Sequence, residues 1–257
     1  MRWVILSSGS AGNGMVVSDG TTHLLVDIGL SCKQMTERLR AVGIPPEALT
    51  AVCLTHNHGD HVSGARVFCT KYRIPLYATQ GTYEAMSCDW DDYEAWNIFA
   101  AGNRFSIGTL TVTPFATPHD AGESVGYVFS SAEHSLGLLT DTGHVPEMIK
   151  YHLRSCHALV LESNHDLEML MGSGRPWPII DRIRGRHGHL SNEQCAEVLA
   201  AVAPSGLLEI VVLAHLSADC NTPALARNSA RHTLQHCGCP AVRIEVAAPS
   251  ISPWFEL

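Results

Sequence analysis

The stretch Thr55-His56-Asn57-His58-Gly59-Asp60-His61 decides the fold that this sequence predicts. It follows the apolar run Ala51 to Leu54, which has the pattern of a buried strand. Its side chains that can bind a metal are His56, His58, Asp60 and His61. Imidazole and carboxylate groups suit divalent transition ions such as zinc, manganese and iron. Because the first two histidines can point to one side of an extended turn, and Gly59 lets the chain turn back, the loop can supply ligands for two ions.

Three more candidate ligands stand at the ends of other apolar runs. They are His119 in Thr117-Pro118-His119-Asp120, Asp141 in Leu138 to Gly143, and His215 in Leu213 to Ser217. Each follows a predicted strand, and sites in α/β folds collect at the carboxyl ends of strands. In residue type and order, the loop and these three positions resemble the signature of the metallo-β-lactamase-fold superfamily.

The resemblance implies a ligand set and a fold. It implies two divalent metal ions per chain, zinc first, with manganese or iron as alternatives. One ion would be held by His56, His58 and His119, the second by Asp60, His61 and His215, with Asp141 bridging them. The implied fold is an αββα sandwich, in which two mixed sheets are flanked by helices.

The composition fits that expectation. A chain of 257 residues suits one α/β domain, residues 1–257, with a large core. Hydrophobic residues make up 46% and charged residues 16% of it, as in compact soluble proteins. The formal charge of −8 argues against a protein that coats nucleic acid nonspecifically. It leaves room for a local basic groove.

The cysteines and the apolar runs bear on location. The nine cysteines are odd in number and scattered, and no Cys-x-x-Cys occurs. The first apolar run is broken at once by a Ser/Gly-rich stretch, and no run is long enough to span a membrane. We therefore predict a cytoplasmic protein with reduced thiols that does not bind a membrane. The oligomeric state stays open, and a homo-oligomer is compatible with the sequence.

The apolar pattern predicts strands through most of the first half and alternating strands and helices in the second. Ser31 is the expected N-cap of a helix that runs to Val42. A single helix is expected from Asp60 to Tyr72. No linker or second core is evident, and two sheets flanked by helices satisfy the pattern.

Two segments add a proton donor to the predicted metal site. Leu159 to Asp166 ends a strand in Glu162-Ser163-Asn164-His165, and Gly188-His189-Leu190-Ser191-Asn192 precedes a helix. The two segments resemble parts of tRNase Z-type nucleases, where a glutamate orients a histidine that protonates the leaving oxygen. Carried over, Glu162 orients and His189 is the acid, a role that suits a group of near-neutral pKa. The alternative is that both residues only support loops.

The first strand is followed by Ser7-Ser8-Gly9-Ser10-Ala11-Gly12-Asn13-Gly14. Its glycines allow close backbone approach, and Ser8, Ser10 and Asn13 offer hydrogen-bond donors. A phosphate site and a plain hairpin are both open readings. Together with the Glu162 and His189 segments, this opening resembles the YycJ (WalJ) group of metallo-hydrolases. The resemblance implies 5′-to-3′ exonuclease action on DNA, linked to mismatch repair.

A dense basic run, Arg182-Ile-Arg184-Gly-Arg186-His187, lies just before His189. Arginines can hold phosphates with two parallel hydrogen bonds, so Arg184 and Arg186 are candidate substrate contacts, together with His165. The alternative is a solvated helix end.

These motifs predict a phosphodiesterase acting on nucleic acid, with DNA favoured over RNA. Asp60 and Asp141 would orient an attacking water for in-line attack, and His189 would protonate the leaving group. One alternative is an acyl hydrolase for a thioester or lactam, which would leave Glu162 and His189 idle. A second is a metal-stabilised binding protein without turnover, although structural zinc sites usually have four ligands rather than seven.

Overall fold

The computed structural model describes residues 1–86, 90 and 93–257. It contains two mixed β-sheets of seven strands each, flanked by helices, as predicted. The residues form two compact units. The first contains residues 1–116, 121–133 and 248–257, and the second contains residues 117–120 and 134–247. A single domain over residues 1–257 stays a prediction.

One sheet lies wholly in the first unit. Its strands are β1 (Arg2–Ser7), β2 (Gly14–Ser18), β3 (His23–Val26), β4 (Ala51–Cys53), β5 (Leu76–Thr79), β6 (Trp96–Phe99) and β14 (Phe255–Glu256), in the order β14-β1-β2-β3-β4-β5-β6. Strands β14, β1, β2 and β3 pair antiparallel, and β3, β4, β5 and β6 pair parallel. Since Val26 pairs with Cys53, the residues after β3 and β4 emerge side by side.

The described residues of the first unit include the α-helices α1 (Cys32–Ala41), α2 (Gly59–Val62), α3 (Ala65–Tyr72) and α4 (Gln80–Met86), and a short 3-10 helix at Pro46–Ala48. Ser31 caps α1 as predicted, and Gln34 completes a capping box. Buried side chains such as Met35, Leu39 and Phe68 pack into one core with the sheet. Each such side chain contributes roughly 1.5–3 kcal/mol on burial.

The single helix predicted from Asp60 to Tyr72 is wrong, because the structure has two helices there. The break falls at Ser63 and Gly64. The Gly64 N–H donates to Ile28 O at 3.0 Å and the Ser63 hydroxyl to Gly29 O at 2.7 Å. These bonds tie the chain to the segment after β3. Tertiary contacts therefore override a helical pattern that continues through this point.

The first unit also contains an antiparallel ribbon of three strands, β7 (Phe105–Ile107), β8 (Leu110–Ala116) and β9 (Val125–Ser130). The residues from Phe105 to Val112 have the sequence pattern of a hairpin, and β7 and β8 form it. No strand was predicted at β6 or β14. Both are edge strands of the first sheet, and β14 has only two residues. Such short segments carry little periodic signal.

The second unit is built on parallel strands, in the order β10 (Ser135–Leu139), β11 (Ala158–Glu162), β12 (Ile210–Ala214) and β13 (Arg243–Val246). Its helices are α5 (Glu147–Leu153), α6 (Leu167–Met171), α7 (Trp177–Arg184), α8 (Asn192–Val202) and α9 (Pro223–His236). All residues of β11 and β12 are buried, as in a parallel sheet covered on both faces. The register pairs Leu139 with Leu161 and Glu162 with Ala214, so the carboxyl ends of three strands meet.

Eight cysteines lie in the described part of the chain, and all are free thiols; Cys88 lies outside the described residues. Within the described ranges, none of the helices has the length and apolar character needed to cross a bilayer.

Candidate metal centre

The histidine-rich loop of the first unit is anchored by a buried carboxylate. Asp27 follows β3, and its Oδ1 accepts the Thr55 N–H at 2.8 Å. Its Oδ2 accepts the Thr55 hydroxyl at 2.9 Å and lies 2.8 Å from His61 Nδ1. One carboxylate therefore holds both ends of the loop. Asp27 was not predicted from the sequence, where its position directly after a buried strand is only a weak signal.

The hydrogen bonds fix which nitrogen of each ring is available to a metal. His61 Nδ1 donates to the Asp27 carboxylate, which leaves Nε2 as the ligand atom. His56 Nδ1 lies 2.9 Å from the Thr55 hydroxyl oxygen. Because that hydroxyl gives its own proton to Asp27, it accepts from His56, and Nε2 is again the ligand atom. Both imidazoles are 1% exposed.

The other two predicted ligands of this loop lie beside them. The His56 ring lies with its centroid 4.7 Å from that of His58 and 4.2 Å from that of His61. The Asp60 carboxylate lies 3.6 Å from His61 Nε2. The first unit thus brings together the four predicted ligands His56, His58, Asp60 and His61.

The Ser/Gly-rich loop packs against this metal loop. The Asn13 N–H donates to Asp60 O at 2.8 Å, and the Asn13 side-chain nitrogen lies 3.2 Å from Asp60 Oδ2 and 3.0 Å from His61 Nε2. A Cβ on Gly29 would lie 1.7 Å from Asp60 O, so the close approach requires glycine. Of the predicted substrate contacts here, Asn13 faces the metal loop, Ser8 is buried and Ser10 is exposed.

The second unit centres on Glu162, whose side chain is fully buried. Its Oε1 lies 2.8 Å from His189 Nδ1 and 2.9 Å from His215 Nδ1. Its Oε2 accepts the N–H groups of Thr142 at 3.0 Å and Leu190 at 3.1 Å. Burial alone would raise the pKa of this carboxyl. The charge of His189 and the hydrogen bonds from His189 and His215 outweigh burial and lower the pKa to about 2. Glu162 is therefore an ionised carboxylate that accepts four hydrogen bonds.

His189 is the predicted acid, and its surroundings favour the protonated ring. Burial lowers the pKa of the imidazole, but the carboxylates of Glu162 and Asp141 raise it by more, so that it lies above its usual value. The backbone N–H of His189 donates to Ile183 O at 2.8 Å. A Cβ on the preceding Gly188 would lie 2.1 Å from that carbonyl oxygen. The end of α7 thus fixes the position of the ring, whose Nδ1 faces Glu162.

The remaining predicted ligands, His119, Asp141 and His215, lie in the same unit. His119 Nδ1 lies 3.1 Å from the His187 carbonyl oxygen and 3.2 Å from that of Gly188, so Nε2 is again the ligand atom. Asp141 Oδ1 lies 3.9 Å from His119 Nε2 and 3.4 Å from His215 Nδ1. Asp141, Glu162, His189 and His215 each place a side-chain nitrogen or oxygen within 4.8 Å of those of the other three.

Three of these residues have strained backbone. Asp27, Asp141 and His215 have φ angles of 61°, 57° and 57°. The left-handed region costs a non-glycine residue of order 1–2 kcal/mol. Asn164, which the analysis did not single out, supports one of them, because its side-chain amide donates to His215 O at 2.8 Å. The turns that aim these side chains are held by the surrounding structure.

The basic run is largely neutralised. The Arg182 guanidinium donates to Asp120 at 2.6 Å, and that of Arg184 donates to Asp181 at 2.9 Å. Arg186 bonds to His144 at 3.1 Å. Of the two predicted substrate contacts, Arg184 has an acidic partner and Arg186 has a histidine.

His165, the other predicted substrate contact, is 1% exposed. Within the described part of the chain its Nδ1 has no hydrogen-bond partner. Burial lowers the pKa of this imidazole. Its backbone pairs with Ser191, close to the His189 segment.

Comparisons with known proteins bear on the family and the fold. A family model described as "Beta-lactamase superfamily domain" matches residues 22–216. The exodeoxyribonuclease YycJ of Bacillus anthracis is 36% identical over 93% of this chain and 90% of its own length.

Two solved structures share the fold. The metallo-β-lactamase fold protein YhfI from Bacillus subtilis aligns over 100% of both chains, with a TM-score of 0.76 and 17% identity. The short form of human tRNase Z covers 98% of this chain and 99% of its own, with a TM-score of 0.67 and 16% identity. The predicted metallo-β-lactamase fold is confirmed.

Proposed function

The chain belongs to the β-lactamase superfamily, and from that premise we propose that it is a metal-dependent phosphodiesterase that degrades DNA from the 5′ end. Family membership and the clusters of histidines and carboxylates support a metal-dependent hydrolase. The name of the YycJ relative supports DNA as the substrate. The 5′-to-3′ polarity and a role in mismatch repair rest on the resemblance alone.

The proposed ligand set is the one that the resemblance implies. His56, His58 and His119 would hold one divalent ion, Asp60, His61 and His215 the other, with Asp141 bridging. The hydrogen bonds support it, because the Nδ1 atoms of His56, His61, His119 and His215 all contact protein oxygens. Such contacts are typical of metal-binding histidines. Bound divalent ions, zinc first and then manganese or iron, would supply Lewis acidity and lower the pKa of the attacking water.

The chain's own residues orient the nucleophile and protonate the leaving group. Asp60 and Asp141 orient the attacking hydroxide, which forms when the water gives a proton to solvent. The hydroxide oxygen bonds to phosphorus as the bond to the leaving oxygen breaks. His189 donates the proton from Nε2 to that leaving oxygen. Glu162 holds the ring through Nδ1 and, being ionised, stabilises its protonated form.

The bond between Glu162 and His189 is the observation that carries the proposal. A thioester has a thiolate leaving group that needs this acid less, and a binding protein has no use for it. The carboxylate that positions the His189 ring is fully buried. A phosphodiester has an alkoxide leaving group, which benefits strongly from a positioned proton donor.

The deciding experiment uses DNA and RNA oligonucleotides labelled at either end, with zinc, manganese or iron added to the purified protein. The proposal expects release of nucleotides from the 5′ end of DNA. A parallel assay with a thioester and a lactam tests the acyl alternative. Turnover of those substrates without cleavage of any oligonucleotide would replace the nuclease by an acyl hydrolase.

A further inference from the structure

Helices α1 and α3 border an open groove of about 640 Å³ in the first unit. Its lining includes three cations, Lys33, Arg40 and Lys71, and one acid, Glu37. Hydroxyl groups of Ser31 and Ser63 also line it. None of its described lining residues is aromatic. In a chain of net charge −8, this groove has an excess of positive charge.

These cations differ from those of the basic run. Arg182 and Arg184 are paired with aspartates. Over the described ranges, Lys33, Arg40 and Lys71 form no ion pair with a carboxylate; Lys71 lies over the ring of Tyr72. Their charge is therefore available to an anion, whereas the charge of the run that stands out in the sequence is already compensated.

The groove adjoins the metal loop within the same unit. Ser63 and Gly64 line it and directly follow α2, which carries Asp60 and His61. The Ser63 hydroxyl donates to Gly29 O, the carbonyl of the residue packed against Asp60. A polyanion lying in the groove would thus contact the residues that directly follow α2.

We propose that this groove binds the sugar-phosphate backbone of the DNA strand. The inference rests on the proposed function and adds to it the surface that holds the substrate away from the cleaved bond. Cations and hydroxyl groups recognise phosphate oxygens, and without aromatic rings the groove cannot stack bases. Binding here is therefore insensitive to base sequence and strongly dependent on salt.

The first test compares two variants that remove equal charge. In one, Lys33, Arg40 and Lys71 become glutamine. In the other, glutamine replaces Arg2, Arg104 and Arg231, which are exposed, lie outside the groove and form no ion pair with a described carboxylate. DNA affinity is measured over a range of salt concentrations. Each lost phosphate contact lowers the slope of log K against log salt by about 0.7–0.9. The groove variant should lose roughly two units of slope and the matched control little, while both retain hydrolysis of bis-p-nitrophenyl phosphate.

Glu37→Gln should change DNA affinity in the opposite direction. Removing the one acid of the groove should strengthen DNA binding several-fold, a gain that damage to the fold cannot produce. Weaker or unchanged binding in Glu37→Gln would count against the groove.

A footprint tests the location directly. Cys32 lines the groove and is half-buried, as are Cys237 and Cys239 in the second unit. Circular single-stranded DNA, which offers no end to an exonuclease, should slow alkylation of Cys32 by N-ethylmaleimide and leave the other two unaffected. Equal rates at Cys32 with and without bound DNA, together with equal salt slopes, would overturn the groove while the nuclease stands. Failure of the wild-type protein to bind or cleave any DNA would overturn both.

Discussion

Glu162 Oε1 lies 2.9 Å from Nδ1 of His215, a predicted metal ligand. The same oxygen accepts a hydrogen bond from Nδ1 of His189. The motif resemblance assigned Glu162 to the acid alone. The structure shows one carboxylate oxygen shared by both rings. The metal site and the proton donor of the proposed enzyme are thereby joined at one buried side chain.

His189→Ala should slow DNA cleavage by roughly 10²–10⁴-fold, because the leaving alkoxide loses its proton donor. A nitrophenolate leaves readily without a proton, so hydrolysis of bis-p-nitrophenyl phosphate should change far less. Metal content, measured by elemental analysis, should stay at the wild-type level. Equal losses on both substrates would mean that His189 binds phosphate or supports the fold.

The pH dependence of DNA cleavage should follow the same ring. Glu162 and Asp141 raise the pKa of His189 above its usual value. The acid must be protonated to act, so kcat/KM should fall as pH rises through that raised pKa. Removing the Glu162 charge should move the fall to lower pH. An unchanged midpoint in Glu162→Gln would assign the fall to another group.

Glu162→Gln should also weaken metal binding, by about 10–100-fold as for other residues that orient metal ligands. The amide NH₂ would face the N–H groups of Thr142 and Leu190, which donate hydrogen bonds to Oε2 in the wild-type protein. An unmet buried hydrogen bond costs about 1–3 kcal/mol. Chelator competition and thermal unfolding measure the two effects. Full metal affinity in a correctly folded variant would remove His215 from the ligand set.

Asp27→Asn tests the anchor of the metal loop without disturbing its backbone. Asparagine tolerates the left-handed region that Asp27 occupies, so the substitution changes the charge and leaves the turn. With a weaker acceptor for His61 Nδ1, we expect a loss of metal affinity of about 10–100-fold. Asp19→Asn, on an exposed turn of the same unit, serves as the control and should keep its metal.

Elemental analysis of the wild-type chain should find about two ions. Asp141→Asn should lose ions and activity together, because the proposed bridge serves both. Asparagine again suits the positive φ of this position. Active protein with both ions still bound would remove Asp141 from its assigned role.

The residues of the site were predictable where a local motif carries them. His56, His58, Asp60 and His61 fall in one loop, and Glu162 and His189 in two recognisable segments. Asp27 was missed because an acid after a strand is common, and only the pairing of β3 with β4 brings it beneath the loop. The second contact of Glu162 depends likewise on the neighbouring strand β12.

The basic run shows how sequence and structure weigh charge differently. Arg182, Arg184 and Arg186 stand out along the chain, but their partners Asp120, Asp181 and His144 include two that are remote in sequence. The cations of the α1–α3 groove are dispersed over the chain and form a surface only after folding. Charge density in sequence is therefore a poor guide to available charge.

The left-handed backbone at positions 27, 141 and 215 also sets how this protein can vary. β-Branched residues are excluded there by sterics, while glycine and asparagine fit. In a saturation library sorted first for abundance and then for nuclease activity, variants with glycine or asparagine at these positions should be abundant but inactive. These three turns are thus places where the requirements of folding and of chemistry can be separated one substitution at a time.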